Sequence, residues 1–141
     1  MIMYNVKYII SKYIIPRTIK VVGTTKTTEE AQKALSYLLP GDYVVLNHEK
    51  NNQYDPNAVS VNVFFNNRLH KIGYLPNNEK IGFFATDISY LLDSQIPVRA
   101  LVSKVLGGTI GKENIGVRIL VYAPVKESLN YIPKIIKHQS S

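Results

Sequence analysis

Residues 58–65 alternate cleanly, with Val59, Val61 and Val63 on one face and Ser60 and Asn62 on the other. Successive side chains of a pleated strand point to opposite faces, so this pattern predicts a half-buried strand. Asn66-Asn67 follows, a pair that tolerates positive φ, and leads into "RLHKIGYLP". The unit reads as a hairpin whose second strand is ended by Pro76. Residues 42–48 are rich in β-branched side chains and predict another strand, and "TIKVVG" predicts one closed by Gly23. "IPVRALVSKVL" and "NIGVRILVYAP" are two more, joined by the glycine-rich "GGTIGKE". Residues 4–15 fit either a strand, through Tyr4, Val6 and Tyr8, or a helical face, and Pro16 is expected to end them.

Two segments carry helical spacing. In "TTKTTEEAQKALSYLLPG", Thr27 and Glu30 have capping-box spacing. Ala31, Leu35, Leu38 and Leu39 form the stripe, and Pro40-Gly41 is the stop. "NNEKIGFFATDISYLLDSQ" reads as a second helical segment, with a break near residues 85–87 where Thr86 or Asp87 would cap a new turn. The sum is a mainly β chain with two helical insertions, expected to form a small OB-like or SH3-like barrel of five to six strands. Its expected divisions are an N-terminal strand or extension at 1–18, the barrel at 19–123 and a short basic tail at 124–141.

Composition narrows the function classes. A length of 141 residues suits one domain with its own core, and 45% hydrophobic against 19% charged residues argues against wholesale disorder. The absence of cysteine removes disulfides, thiolate nucleophiles and sulfur-based zinc sites, and fits a reducing compartment. Lys7 and Lys12 interrupt the apolar N-terminus, which has neither a membrane span nor signal-peptide architecture. A cytoplasmic protein with no membrane partner is expected. The net charge of +7, from 17 Lys and Arg against 10 Asp and Glu, favours polyanionic partners and nucleic acid first, although no two Lys or Arg are adjacent. Abundant Ile, Lys, Asn and Tyr point to an AT-rich genome, hence a bacterial, phage or mobile-element source.

Catalytic chemistry finds little support. His48, His70 and His138 have no spacing for metal ligation or for a nucleophile–base pair, and His70 reads as a surface or edge residue. The glycines of "LGGTIGKENIG" lack the Lys-Ser/Thr and the following helix of a phosphate loop. The expectation is a non-enzyme with no catalytic residue, no metal and no cofactor.

The loop within "NHEKNNQYDPNAVSVNV" is richer. On a purely structural reading, Asp55-Pro56-Asn57 makes a type I turn and Tyr54 packs on the barrel rim. On a functional reading, Tyr54 offers a face for a base to stack on, and Asp55 is an acceptor that phosphate would repel but a terminal hydroxyl would suit.

These residues, with Gly23, Pro40-Gly41-Asp42, Asn57-Ala58, Gly73-Tyr74-Leu75-Pro76 and Leu91-Leu92-Asp93 in this order, resemble the HIRAN domain over about residues 19–121. The resemblance implies a small OB-like barrel with two helices. The best understood member captures the 3′-hydroxyl end of single-stranded DNA, and its Asn-x-Tyr-Asp motif falls on Asn52, Tyr54 and Asp55. By this resemblance Tyr54 stacks on the terminal base, Asp55 accepts from the 3′-hydroxyl, and Asn52 braces the loop or bonds the sugar. Lys26 falls in a segment that contacts phosphate, but the aromatic partner of that segment is missing at Thr25–Thr27. Leu106 stands where that relative has a wedging phenylalanine, and Asn77 stands where a basic residue is frequent. Lys26, Lys71 and Lys104 are the expected phosphate contacts.

The leading expectation is therefore a non-enzymatic module for single-stranded DNA or 3′-hydroxyl DNA ends, working beside a helicase, nuclease or other protein. The alternative is a protein–protein adaptor or inhibitor that uses the barrel as its binding surface.

Overall fold

The structure is a computed structural model that describes residues 14–78, 84–108 and 114–124. Among these residues there are six strands: β1 (Ile14–Lys20), β2 (Tyr43–His48), β3 (Val59–Phe65), β4 (Arg68–Tyr74), β5 (Arg99–Leu106) and β6 (Gly116–Pro124). Helix α1 (Glu29–Ser36) follows a 3-10 turn at Thr24–Lys26, and α2 (Phe84–Asp93) joins β4 to β5. The strands form one sheet in the order β1-β6-β5-β2-β3-β4. The expected mainly β, OB-like barrel is thus observed, with six strands and two helices. Arg17–Val121 form one compact unit; of the other, Met1–Pro16 and Tyr122–Ser141, only the ends of β1 and β6 are described. The expectations for residues 4–13, for most of "GGTIGKE" and for the basic tail lie outside the described residues.

The sheet closes on itself just past β1. Val22 and Tyr74 exchange two backbone hydrogen bonds of 2.9 Å, an antiparallel bridge that joins the chain after the first strand to the last. Gly73 makes this approach possible. A Cβ there would lie 2.5 Å from the Val22 carbonyl oxygen and 2.6 Å from Val21 Cγ1. Inside stand Val59, Val61 and Val63, as the alternation predicts, together with Ile72, Val102, Val117 and Ile119. Ala31 and Leu35 of α1 and Ile88 and Leu91 of α2 add their apolar faces to this core. Asn66 and Asn67 adopt φ of 52° and 62°, the twisted hairpin turn that their pairing predicts.

Four local expectations are corrected. The cap of α1 is Thr28, whose hydroxyl accepts from the Ala31 N–H at 3.1 Å. Thr27 belongs instead to the 3-10 turn: its hydroxyl donates to the Thr24 carbonyl and accepts from Gln32 Nε2. Both threonines precede the apolar stripe, and the extra turn claims the first. Leu39 is exposed, because α1 ends at Ser36 and Leu39-Pro40-Gly41-Asp42 forms a type II turn with Gly41 at φ 94°. Pro16 lies within β1 rather than ending it; β1 stands at one end of the strand order, where proline's missing N–H is tolerated. Helix α2 runs unbroken from Phe84 to Asp93, with no new turn capped by Thr86 or Asp87.

Two substitutions test this account. Gly73→Ala should lower stability by about 1–3 kcal/mol, since its Cβ collides with backbone and cannot be accommodated by a rotamer change. Thr28→Ala should cost about 1 kcal/mol through loss of the cap. Urea midpoints measure both, and an unchanged midpoint for Gly73→Ala would mean that the bridge to Val22 does not constrain the barrel.

Candidate nucleic-acid interface

Residues 49–58 connect β2 to β3 and are held by their own polar groups. The Glu49 N–H donates to the Ala58 carbonyl at 2.8 Å, closing the base of the loop. Asn52 Oδ1 accepts from the N–H groups of Tyr54 (2.9 Å) and Asp55 (3.0 Å), so one side chain sets the backbone of both residues. Asp55 Oδ1 accepts from the Asn57 N–H at 2.9 Å, and the Asp55 carbonyl accepts from Ala58, completing the turn around Pro56. Tyr54 takes no part in this packing. Its side chain is 91% exposed, so the ring is not packed on the barrel rim as the purely structural reading expects.

The other Asp55 oxygen, Oδ2, accepts from Asn77 Nδ2 at 3.0 Å. Asn77 Oδ1 in turn accepts from the N–H and hydroxyl of Thr86 in the first turn of α2. Asn77 therefore links the carboxylate to the start of a helix. Each Asp55 oxygen has one such donor, and a carboxylate oxygen can accept two. Acceptor capacity remains on a carboxylate whose orientation is already set.

Lys71 is committed elsewhere in the same region. Its Nζ donates to Tyr74 Oη at 2.8 Å and to Glu49 Oε2 at 2.9 Å, and Tyr74 Oη donates to Glu49 Oε1 at 2.8 Å. Asn52 Nδ2 also donates to Glu49 Oε1, tying this cluster to the loop. Burial pushes the Glu49 carboxyl up, but its bonds from Lys71, Tyr74 and Asn52 outweigh this and hold it below the usual range. The Tyr74 and Glu49 bonds raise Lys71. Its charge is present but largely matched by Glu49.

His48 pins the opposite side of the loop. Nδ1 lies 2.9 Å from Asp93 Oδ1 at the end of α2, and Nε2 lies 2.7 Å from the Pro56 carbonyl oxygen. Both partners are acceptors, so both ring nitrogens donate only in the imidazolium form. The bond to Asp93, then that to Pro56, raises the His48 pKa, and the same bond lowers Asp93. Lys50, 3.7 Å from Asp93, adds a weaker pair.

The remaining expected contacts are spread over the barrel. Lys26 is exposed on the 3-10 turn, which Gln32 Nε2 braces through the Thr24 carbonyl and which Thr24 Oγ anchors to the Ile115 carbonyl at 2.9 Å. This turn follows directly on the bridge to Tyr74. Lys104 and Leu106 are exposed on β5 but are not brought to the loop. The register Tyr43↔Leu101 and Val44↔Ala100 carries them beyond the opposite end of β2. A groove of about 370 Å³ lined by Lys33, Phe65, Arg68 and His70, among others, lies by the β3–β4 hairpin, at the far end of β3 from Tyr54. His70 there is half-buried, with Nε2 near the Phe65 carbonyl.

Asn52, Tyr54 and Asp55 are thus gathered as one unit, with Lys71 reached through Glu49. Sequence reasoning missed Asn77, His48, Glu49 and Asp93 as the groups that hold this unit. His48 and Glu49 carried a usable signal, being polar residues at the end of an apolar strand. Their partners, 45 and 22 residues away, carried none. Among the described residues no cluster of three or more His, Asp or Glu is placed to hold a metal, and no helix is long and apolar enough to cross a membrane.

Comparison with known proteins adds the following. The family model of the HIRAN domain matches residues 17–121. A solved protein from Lactobacillus plantarum is similar at TM-score 0.56 and 22% identity, over 78% of this chain and 96% of that one. The HIRAN domain of human HLTF is similar at TM-score 0.54 and 18% identity, over 87% of each chain. No curated protein matches in sequence.

The two pins predict a pH dependence. His48, with a raised folded pKa, contributes fully below its unfolded value of about 6.5 and loses that contribution as pH rises through the higher folded value. Asp93, lowered, contributes above about 3.9 and loses it as pH falls through its folded value. Stability should therefore decline on the alkaline side, between about pH 6.5 and the folded His48 value. His48→Gln should flatten that decline in urea midpoints measured across the range. A wild-type midpoint that does not move there would show that His48 is neutral in the fold.

Proposed function

This chain belongs to the HIRAN domain family, and on that footing we propose that it is a non-enzymatic DNA-binding module that recognises single-stranded DNA at a 3′-hydroxyl end. The observation that carries this reading is Tyr54, an exposed ring beside the oriented carboxylate of Asp55. An exposed aromatic offers every base a π-face, and stacking contributes about 1–3 kcal/mol per base. A carboxylate can only accept. It favours a ligand that presents a hydroxyl and disfavours one that presents phosphate. Asn52 acts as the brace that sets both residues, and Lys26, on the turn after the barrel closure, supplies a phosphate contact. Lys71 serves mainly to hold Glu49. Any chemistry at the captured end falls to a partner such as a helicase or nuclease.

A second reading, a protein adaptor or inhibitor, is favoured by the pairing of Lys71 with Glu49 and by the absence of an aromatic in the turn carrying Lys26. It gives Tyr54 a protein pocket in place of a base.

Fluorescence anisotropy with matched oligonucleotides separates the two. Single strands should bind more tightly than duplex, because stacking needs an unpaired base. A 3′-hydroxyl strand should bind at least about tenfold tighter than its 3′-phosphate counterpart, a gap of about 1.4 kcal/mol. Asp55→Asn should shrink that gap, while Tyr54→Ala should weaken both ligands and leave the unfolding midpoint unchanged. Equal binding of the two ends would leave Asp55 as a turn residue only.

A further inference from the structure

The outer face of the sheet carries an apolar row that the core does not use. Tyr43 on β2 pairs with Leu101 on β5, and Phe64 on β3 pairs with Leu69 on β4. The β2–β3 register, Val45↔Asn62, puts Tyr43, two before Val45, and Phe64, two after Asn62, toward the same end of the pair. The row therefore crosses four strands. Tyr43 is 77% exposed, Phe64 63% and Leu69 48%. Large apolar side chains in such a row are rare on a surface unless something covers them.

Charge identifies the occupant. Arg99, two positions from Leu101 on the same face of β5, is exposed and has no ion pair among the described residues. The outward positions of the four strands hold no carboxylate. Planar rings on a sheet face, beside an unmatched cation and away from carboxylates, suit a polyanion with stackable bases, the arrangement by which OB-type barrels hold single strands. The row is also continuous with the loop: β2 begins at Tyr43 and ends at His48, where that loop starts. At about 3.3 Å per residue the two lie about 17 Å apart along the strand, within reach of the roughly 4–16 nucleotides that one such barrel covers.

We propose that Tyr43 and Phe64 form a second stacking platform, which holds the upstream nucleotides of the single strand whose 3′ end meets Tyr54 and Asp55. This rests on the function proposed above and extends it from an end-reading loop to a path along β2. Arg99 neutralises a phosphate beside the platform.

Oligothymidines with a 3′-hydroxyl, a trinucleotide and a dodecanucleotide, test this by anisotropy with the full chain. The dodecanucleotide should bind more tightly. Tyr43→Ala and Phe64→Ala should each weaken it about tenfold while leaving the trinucleotide unchanged, and Tyr43→Phe should retain wild-type binding. Tyr54→Ala should weaken both lengths. If the two alanine variants alter neither length, or both equally, the platform is overturned and the row is a protein-docking face or serves the fold. If Tyr54→Ala has no effect while the length-dependent losses persist, the end-reading loop fails and the platform stands. If neither length binds the wild type, the platform falls with it.

Discussion

The bridge between Val22 and Tyr74 is the constraint through which fold and site meet. Without it the sheet has two free edges, and its end strands present unpaired backbone groups. With it, the sheet becomes a barrel, and the closing position is decided by an absence: Gly73 leaves room for the Val22 carbonyl where any Cβ would collide. The residue that completes the bridge also supports the candidate site. Tyr74 extends its hydroxyl to Glu49 and Lys71, and Glu49 reaches Asn52, so barrel closure and loop geometry share one side chain. On the other side of the bridge, the chain leaving Val22 turns at once into the segment carrying Lys26.

The loop itself shows a division of labour between polar and aromatic groups. Its backbone is held by short-range side-chain bonds from Asn52 and Asp55, and its flanks are tied by Glu49 to β4 and by His48 and Asn77 to α2. Such a loop loses little entropy on binding, because its backbone is already ordered. Tyr54 is left out of all this. A ring that contributes nothing to packing, on a loop held this firmly, is a local departure from good packing, and such departures concentrate where function lies. The position of Asn77 is informative in the same way: its amide donates to the Asp55 carboxylate without adding charge.

The opposite end of β2 has a different character. The β2–β5 register separates Lys104 and Leu106 from Tyr54, so these residues do not assemble around a single point. What the far end does present is apolar and outward, with Arg99 rather than a carboxylate beside it. A single strand is an extended ligand, and an extended ligand is served by contacts distributed along a sheet. On the proposed function, the barrel wall, as well as the loop, bears on binding.

How much of this was legible beforehand follows from the range of each interaction. The strands, the Asn66-Asn67 turn, the helix stripe of Ala31 and Leu35 and the Asp55-Pro56-Asn57 turn are set by residues within a few positions of one another, and periodicity and turn chemistry read them directly. Tyr54 and Asp55 stood out in the loop on their own, whereas Asn52 entered only through the resemblance to the HIRAN domain, although it shapes a backbone only two and three residues away. Competing local signals misled where two residues were equally suited, as with Thr27 and Thr28, and the choice fell to Gln32 and the 3-10 turn. Sequence alone did not determine the pairing of Val22 with Tyr74, the commitment of Lys71 to Glu49, the hold of His48 on Asp93 or the separation of Lys104 from the loop. Each of these depends on strand order and register, which bring together residues 22 to 52 positions apart. Only tertiary structure could decide whether a lysine was free, whether a histidine had two acceptors and whether a tyrosine faced solvent, because each answer belongs to a neighbour that the chain reaches by folding.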